Sequence, residues 1–135
     1  MSERAEELRT KLGPIIRRGK ILGGKVDLIL NSLHKNSFAL TELDFKDMGD
    51  ILKSLKIIVS TDEISRALEN CRNYYFGEVV LNENNQNNPA KLMENREHFI
   101  SIFNDFSEKV KSYIQEVENT YNYYIEEAER RSKAA

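Results

Sequence analysis

Apolar or small residues near the start of the chain fall at Ala5, Leu8, Leu12, Ile15, Gly19, Leu22, Val26, Ile29 and Leu33, in steps that alternate between three and four. Heptad spacing sustained this long predicts a helix with a narrow apolar seam wound on a partner helix. Glu3, Glu6 and Glu7 lie in the expected first turn, where negative charge complements the positive end of the helix dipole. Gly13 and Pro14 interrupt the backbone ladder, but the seam keeps phase across them, so the expectation is a kinked helix and not a break.

The longest pattern lies at the other end. Asn88 followed by Pro89 suits the cap and first position of a helix, because proline lacks an N–H that would have no partner there. Leu92, Phe99, Phe103, Phe106, Val110, Ile114, Val117, Tyr121, Tyr124 and Ala128 then recur at steps of three, four or seven, with no Gly or Pro to stop them. A helix of about 45 residues would be roughly 65 Å long. Its mean repeat, close to 3.6, suits a bundle helix better than a long dimeric coiled coil.

Two shorter stripes lie between. Met48, Ile51, Leu52, Leu55, Ile58 and Val59 define one helix, preceded by Thr41 and Glu42. Ser60-Thr-Asp-Glu63 has the S-x-x-E form of a capping box, and Ile64, Ala67, Leu68, Cys71, Tyr75 and Val79 follow it as the stripe of the next helix. The tract LNENNQNN has no apolar period, so residues 82–88 are expected to form a mobile loop that is dispensable to the fold. No strand pattern survives. The expected fold is all-α: a single helical-bundle domain over residues 1–135, of about four helices, with a long kinked N-terminal helix and a long C-terminal helix as neighbours. Leu22, Val26 and Ile29 should be buried at their seam.

Composition adds constraints. A chain of 135 residues is the size of one domain. A net charge of -2 supplies no global attraction to nucleic acid or acidic membranes. Residues 1–35 are nevertheless locally basic, with eight Lys and Arg against four Asp and Glu. Cys71 is the one cysteine, which excludes an intrachain disulfide and a thiolate zinc site. MSERAEELR has no apolar run suited to a signal sequence, and no stretch approaches the ~20 apolar residues of a membrane span, so a cytoplasmic setting is expected.

Catalytic grammar is sparse. Gly19-Lys-Ile-Leu-Gly-Gly-Lys25-Val26 has the outline of a phosphate loop, but Val stands where Ser or Thr must bind magnesium, and the glycines lie inside a heptad. Gly19 and Gly23, one turn apart, suit close approach of another backbone. Glu94, Glu97 and His98 gather near one helix start, yet neither histidine has Glu three residues before it, as di-metal bundles require. Cys71 reads as a small buried hydrophobe. No cofactor, metal site or enzymatic activity is expected.

Two features point toward partners. Tyr113, Val117, Tyr121, Tyr124 and Ala128 make a tyrosine-rich end that should project past the shorter helices, and tyrosine suits an interface because its ring is apolar and its hydroxyl tolerates water. Arg17, Arg18, Lys20 and Lys25 concentrate positive charge on the first helix, available to phosphate or to an acidic partner. The function these imply is a non-enzymatic helical interaction or assembly protein, most simply a homo-oligomer. The alternative is a nucleic-acid-binding bundle that uses the basic helix.

Overall fold

The computed structural model describes residues 2–35, 39–85 and 88–134. They form helices α1 (Glu3–His34), α2 (Glu42–Leu55), α3 (Asp62–Tyr74), α4 (Leu81–Asn85) and α5 (Pro89–Ala134), with a π-helical stretch, Tyr75–Val80, between α3 and α4. Tyr75 and Leu81 both have right-handed helical dihedrals, so α3, the π stretch and α4 form one continuous rod. There are thus four rods, and no strand occurs among the described residues.

Each rod runs opposite to the one before it. Gly19 of α1 faces Leu55 at the end of α2, while Lys25 lies 3.8 Å from Asp44 and 3.5 Å from Asp47 near its start. Arg72 of α3 reaches back to Glu42 with two 2.8 Å hydrogen bonds. Lys109 of α5 approaches Glu63 at 4.0 Å, whereas Tyr74 approaches Asn95. Arg9 pairs with Glu129 at 2.6 Å and Lys20 with Glu118 at 4.0 Å, so α5 closes antiparallel on α1. This is an up-down-up-down bundle.

The core follows the apolar stripes. Leu22, Val26 and Leu33 are fully buried and Ile29 nearly so, in a cluster with Met48, Leu52, Leu55, Phe99, Phe103, Phe106 and Val110. The expected α1–α5 seam is therefore present. α1 also passes Pro14 without a break, and Pro14 lies on the wet side, where water can take the carbonyl that the missing N–H would have served.

The cap signals are realised only in part. At Asn88 the expected cap forms, its side-chain oxygen accepting from the Lys91 N–H at 3.2 Å. The capping box lies elsewhere: Thr41 and Asp44 exchange side-chain and backbone hydrogen bonds at the start of α2. At Ser60 the helix starts one residue late, with buried Thr61 at the cap and no side-chain cap bond, so Glu63 is one position too early to complete a box. α2 ends at Leu55, although Ile58 still packs into the core from the turn beyond it.

The expected loop over residues 82–88 is corrected for its first part. The helix continues to Asn85, Glu83 forms an ion pair with Arg96 of α5, and the Asn82 amide donates to the Glu78 carbonyl. Residues 86–87 lie outside the described residues. The tract has no apolar period to mark it as helix, but a helix already propagating from α3 adds a turn at little cost. Replacing residues 82–85 with a Gly and Ser linker is accordingly expected to lose about 1–2 kcal/mol from helix propensity and the ion pair together. Urea denaturation measures this, and an unchanged midpoint would return the tract to loop status.

Candidate functional site: a two-helix arm

The two long helices outrun the two short ones. α2 ends opposite Gly19, and the turn after it meets α5 at Tyr113, whose hydroxyl donates to the Val59 carbonyl at 2.7 Å. Beyond that level the first half of α1 and the last part of α5 have only each other. Ala5, Ile125 and Ala128 are buried there as a separate cluster, flanked by Leu8 and Tyr121. Residues 3–16 make this arm roughly 20 Å long.

The interface expectation changes in detail. α5 does run past α2 and α3, but α1 runs with it, so Tyr113, Val117 and Ala128 are buried within the chain and Tyr121 is half-buried. Tyr124 is 42% exposed and Tyr123 56%. The inward stripe is Val117, Tyr121, Ile125 and Ala128: two successive steps of four follow the straight-helix period and carry Tyr124 off the seam.

Tyr124 borders a surface groove of about 350 Å³ whose floor is Leu8, Leu12 and Ala128 and whose rim carries Arg4, Glu127 and Arg131. Glu127 lies 3.6 Å from Arg131, so the rim charges are partly matched. Across the arm, Arg9 and Glu129 tie the helices together. The hydrogen bond between them is the largest cause of both shifts, raising the Arg9 pKa and lowering that of Glu129. The arm is thus held by a small apolar cluster and one cross-strut, with an apolar channel open along one side.

The basic residues of α1 do not act together. Lys25 is engaged by Asp44 and Asp47, and Lys20 approaches Glu118. Arg17 and Arg18 are exposed and have no ion-pair partner among the described residues. The Gly19–Val26 stretch lies within continuous helix, so its amides serve the helix ladder and form no phosphate cradle. Gly19 and Gly23 have structural reasons: a Cβ at Gly19 would lie 3.4 Å from Leu55, and one at Gly23 would lie 3.3 Å from Ile114.

Other chemistry-bearing groups are occupied by packing. The His98 ring stands edge-on to Tyr74 at 4.9 Å, and Glu94 pairs with Lys91. Desolvation, with smaller help from Glu78 and Glu94, raises the Tyr74 pKa. Glu63, Glu108 and Glu116 border a second surface cleft of about 330 Å³ beside Tyr113, but no group of three His, Cys, Asp or Glu side chains suited to a metal ion occurs among the described residues. Burial, with a smaller push from Glu116, raises the Tyr113 pKa to about 12. Asn95 and Ser107, both buried on α5, each leave a side-chain atom without a hydrogen-bond partner, and no periodicity in the sequence marks them out. No helix among the described residues is long and apolar enough to cross a membrane.

The chain matches no protein family model, and no curated protein or solved structure matches it either. The class is therefore defined by architecture: an antiparallel four-helix bundle extended at one end by a two-helix arm.

Proposed function

We propose that this chain is a non-enzymatic helical assembly protein whose working part is the two-helix arm. The observation that carries the reading is the open channel over Leu8, Leu12 and Ala128 beside Tyr124. Four rods complete a bundle at the base, whereas two rods at the arm leave apolar surface uncovered, and an amphipathic helix from another chain would bury it. Tyrosines at the edge fit that role, since each brings a large apolar ring and a hydroxyl that stays wet. Nucleic-acid binding gains no comparable support: two unpaired arginines would neutralise few phosphates, and salt-sensitive affinity scales with that number.

The test is a photocrosslinking amino acid, p-benzoylphenylalanine, placed at Tyr124 in the full chain expressed in cells. Irradiation should join it to a second polypeptide. The same residue at Glu108, on the exposed side of the base, should give a much weaker product. A companion variant, Tyr123→Ser with Tyr124→Ser, should stay folded and lose no more than about 2 kcal/mol, because both rings are only partly covered. Equal crosslinking at both sites, or none at Tyr124, would end the arm reading.

A further inference from the structure

Gly24 is the one glycine of the α1 cluster without a reason inside the chain. A Cβ there would meet nothing within 4 Å, in contrast to Gly19 and Gly23. Mid-helix glycine is nevertheless costly relative to alanine. On the same face, one turn to either side, Ile21 is 62% exposed and Leu28 is 70% exposed.

These positions form a second seam. Arg17, Ile21, Gly24, Leu28 and Asn31 each lie two residues beyond a core position, namely Ile15, Gly19, Leu22, Val26 and Ile29. Two residues turn an α-helix by about 200°, so the second seam keeps the heptad spacing on the opposite side of α1. A bulky aliphatic, a glycine and a bulky aliphatic, spaced three and four apart, suit a second helix crossing closely at the glycine.

We infer that this face is where a second copy of the chain docks, α1 against α1, antiparallel, with Gly24 facing Gly24 across a two-fold axis. The seam is self-complementary in that register, and the two Lys25 ammonium groups that flank the axis are each already balanced by Asp44 and Asp47 of their own chain. Ile21 of one copy lies beside Leu28 of the other, and Arg17 meets the neutral Asn31. Lys20, which reaches Glu118 of its own chain only at 4.0 Å and keeps a 67% exposed side chain, lies beside Asp27 of the other copy; Asp27 has no ion-pair partner among the described residues, and symmetry makes that pairing twice. A parallel arrangement would instead set Arg17 against Arg17 and Lys20 beside Lys25 of the other copy. Charge complementarity therefore selects both the occupant and the direction. A single helix pair is a small interface, so the dissociation constant belongs in the micromolar range. The arm takes no part, and the two readings fail separately.

Sedimentation equilibrium of the purified full chain, from micromolar to millimolar concentration, should give a monomer–dimer equilibrium. Leu28→Lys should weaken the dimer at least about 100-fold while the circular dichroism stays helical. Tyr124→Ser should leave the dimer unchanged. Lys20→Asp should weaken it, and Lys20→Asp combined with Asp27→Lys should restore it. The register is read by disulfide capture, for which Cys71, being buried, is no competitor. Under mild oxidation Gly24→Cys should crosslink to itself. Ile21→Cys should not, because its twin lies about 9 Å away along the axis, beyond disulfide reach. Ile21→Cys mixed with Leu28→Cys should crosslink. A chain that stays monomeric throughout overturns the inference, as does a dimer indifferent to Leu28→Lys. Capture of only a different protein by Gly24→Cys would overturn it too, by assigning the face to another partner.

Discussion

Phe103→Ala is expected to cost about 3–5 kcal/mol, which for a domain with typical stability of about 5–15 kcal/mol removes much of the margin against unfolding. Phe103 is fully buried in the first third of α5, with the rings of Phe99 and Phe106 centred 6.0 and 5.6 Å away. Phe99 in turn packs on Tyr75 of the π-helical stretch, 5.0 Å between centroids. Removing the central ring leaves a cavity that helices on several sides would have to move to fill, and interiors at close-packed density relax only partly. Urea denaturation followed by circular dichroism measures the loss. A change under about 1.5 kcal/mol would mean that this aromatic row is not the centre of the core.

The thiol of Cys71 is expected to react with an aromatic disulfide reagent at pH 8 about a thousandfold more slowly in the folded chain than in urea. Cys71 is fully buried, its sulfur 3.9 Å from the Ile102 carbonyl. Burial pushes the thiol up to about 12, with a further rise from the negative charge of Asp105 and a smaller opposing pull from Lys109. Only the thiolate attacks, so the reactive fraction falls with the shift, and access falls again with burial. The sign for stability follows. The folded chain holds the proton more tightly than the unfolded chain, so this contribution is complete below pH 9 and is lost as the pH rises toward about 12. Tyr113 loses its own contribution in an overlapping window, from 10 to about 12. Cys71→Ala should therefore flatten the alkaline limb of the stability curve without abolishing it. Native reactivity equal to that in urea would place the thiol at the surface and contradict the packing of α3 on α5.

The arm shows where the linear pattern stops being informative. Val117, Tyr121, Tyr124 and Ala128 have one spacing on paper, but the helix buries Ile125 in place of Tyr124, because small departures from a 3.5 repeat accumulate along a straight rod. Whether that stripe met solvent depended on how far α1 reached beside it, and no local signal encodes the reach of a distant helix. Asn95 and Ser107 carry no signal in the sequence for a related reason: a polar residue on a buried face has the same local pattern as a surface residue, and only its neighbours distinguish the two.

By itself the chain determined the all-α class, the long first and last helices, and the identity of most core positions. Each of those follows from the recurrence of apolar side chains at helical spacing, and burying such a stripe is the main source of stability for any arrangement of these helices. The tertiary structure alone decided the antiparallel order of the rods, the continuation of α3 through the π-helical stretch into α4, and the pairing of α1 with α5 beyond the bundle. Those depend on which stripes face each other and how the rods match in length. These are relations between residues about a hundred positions apart, such as Arg9 with Glu129, that no local spacing contains.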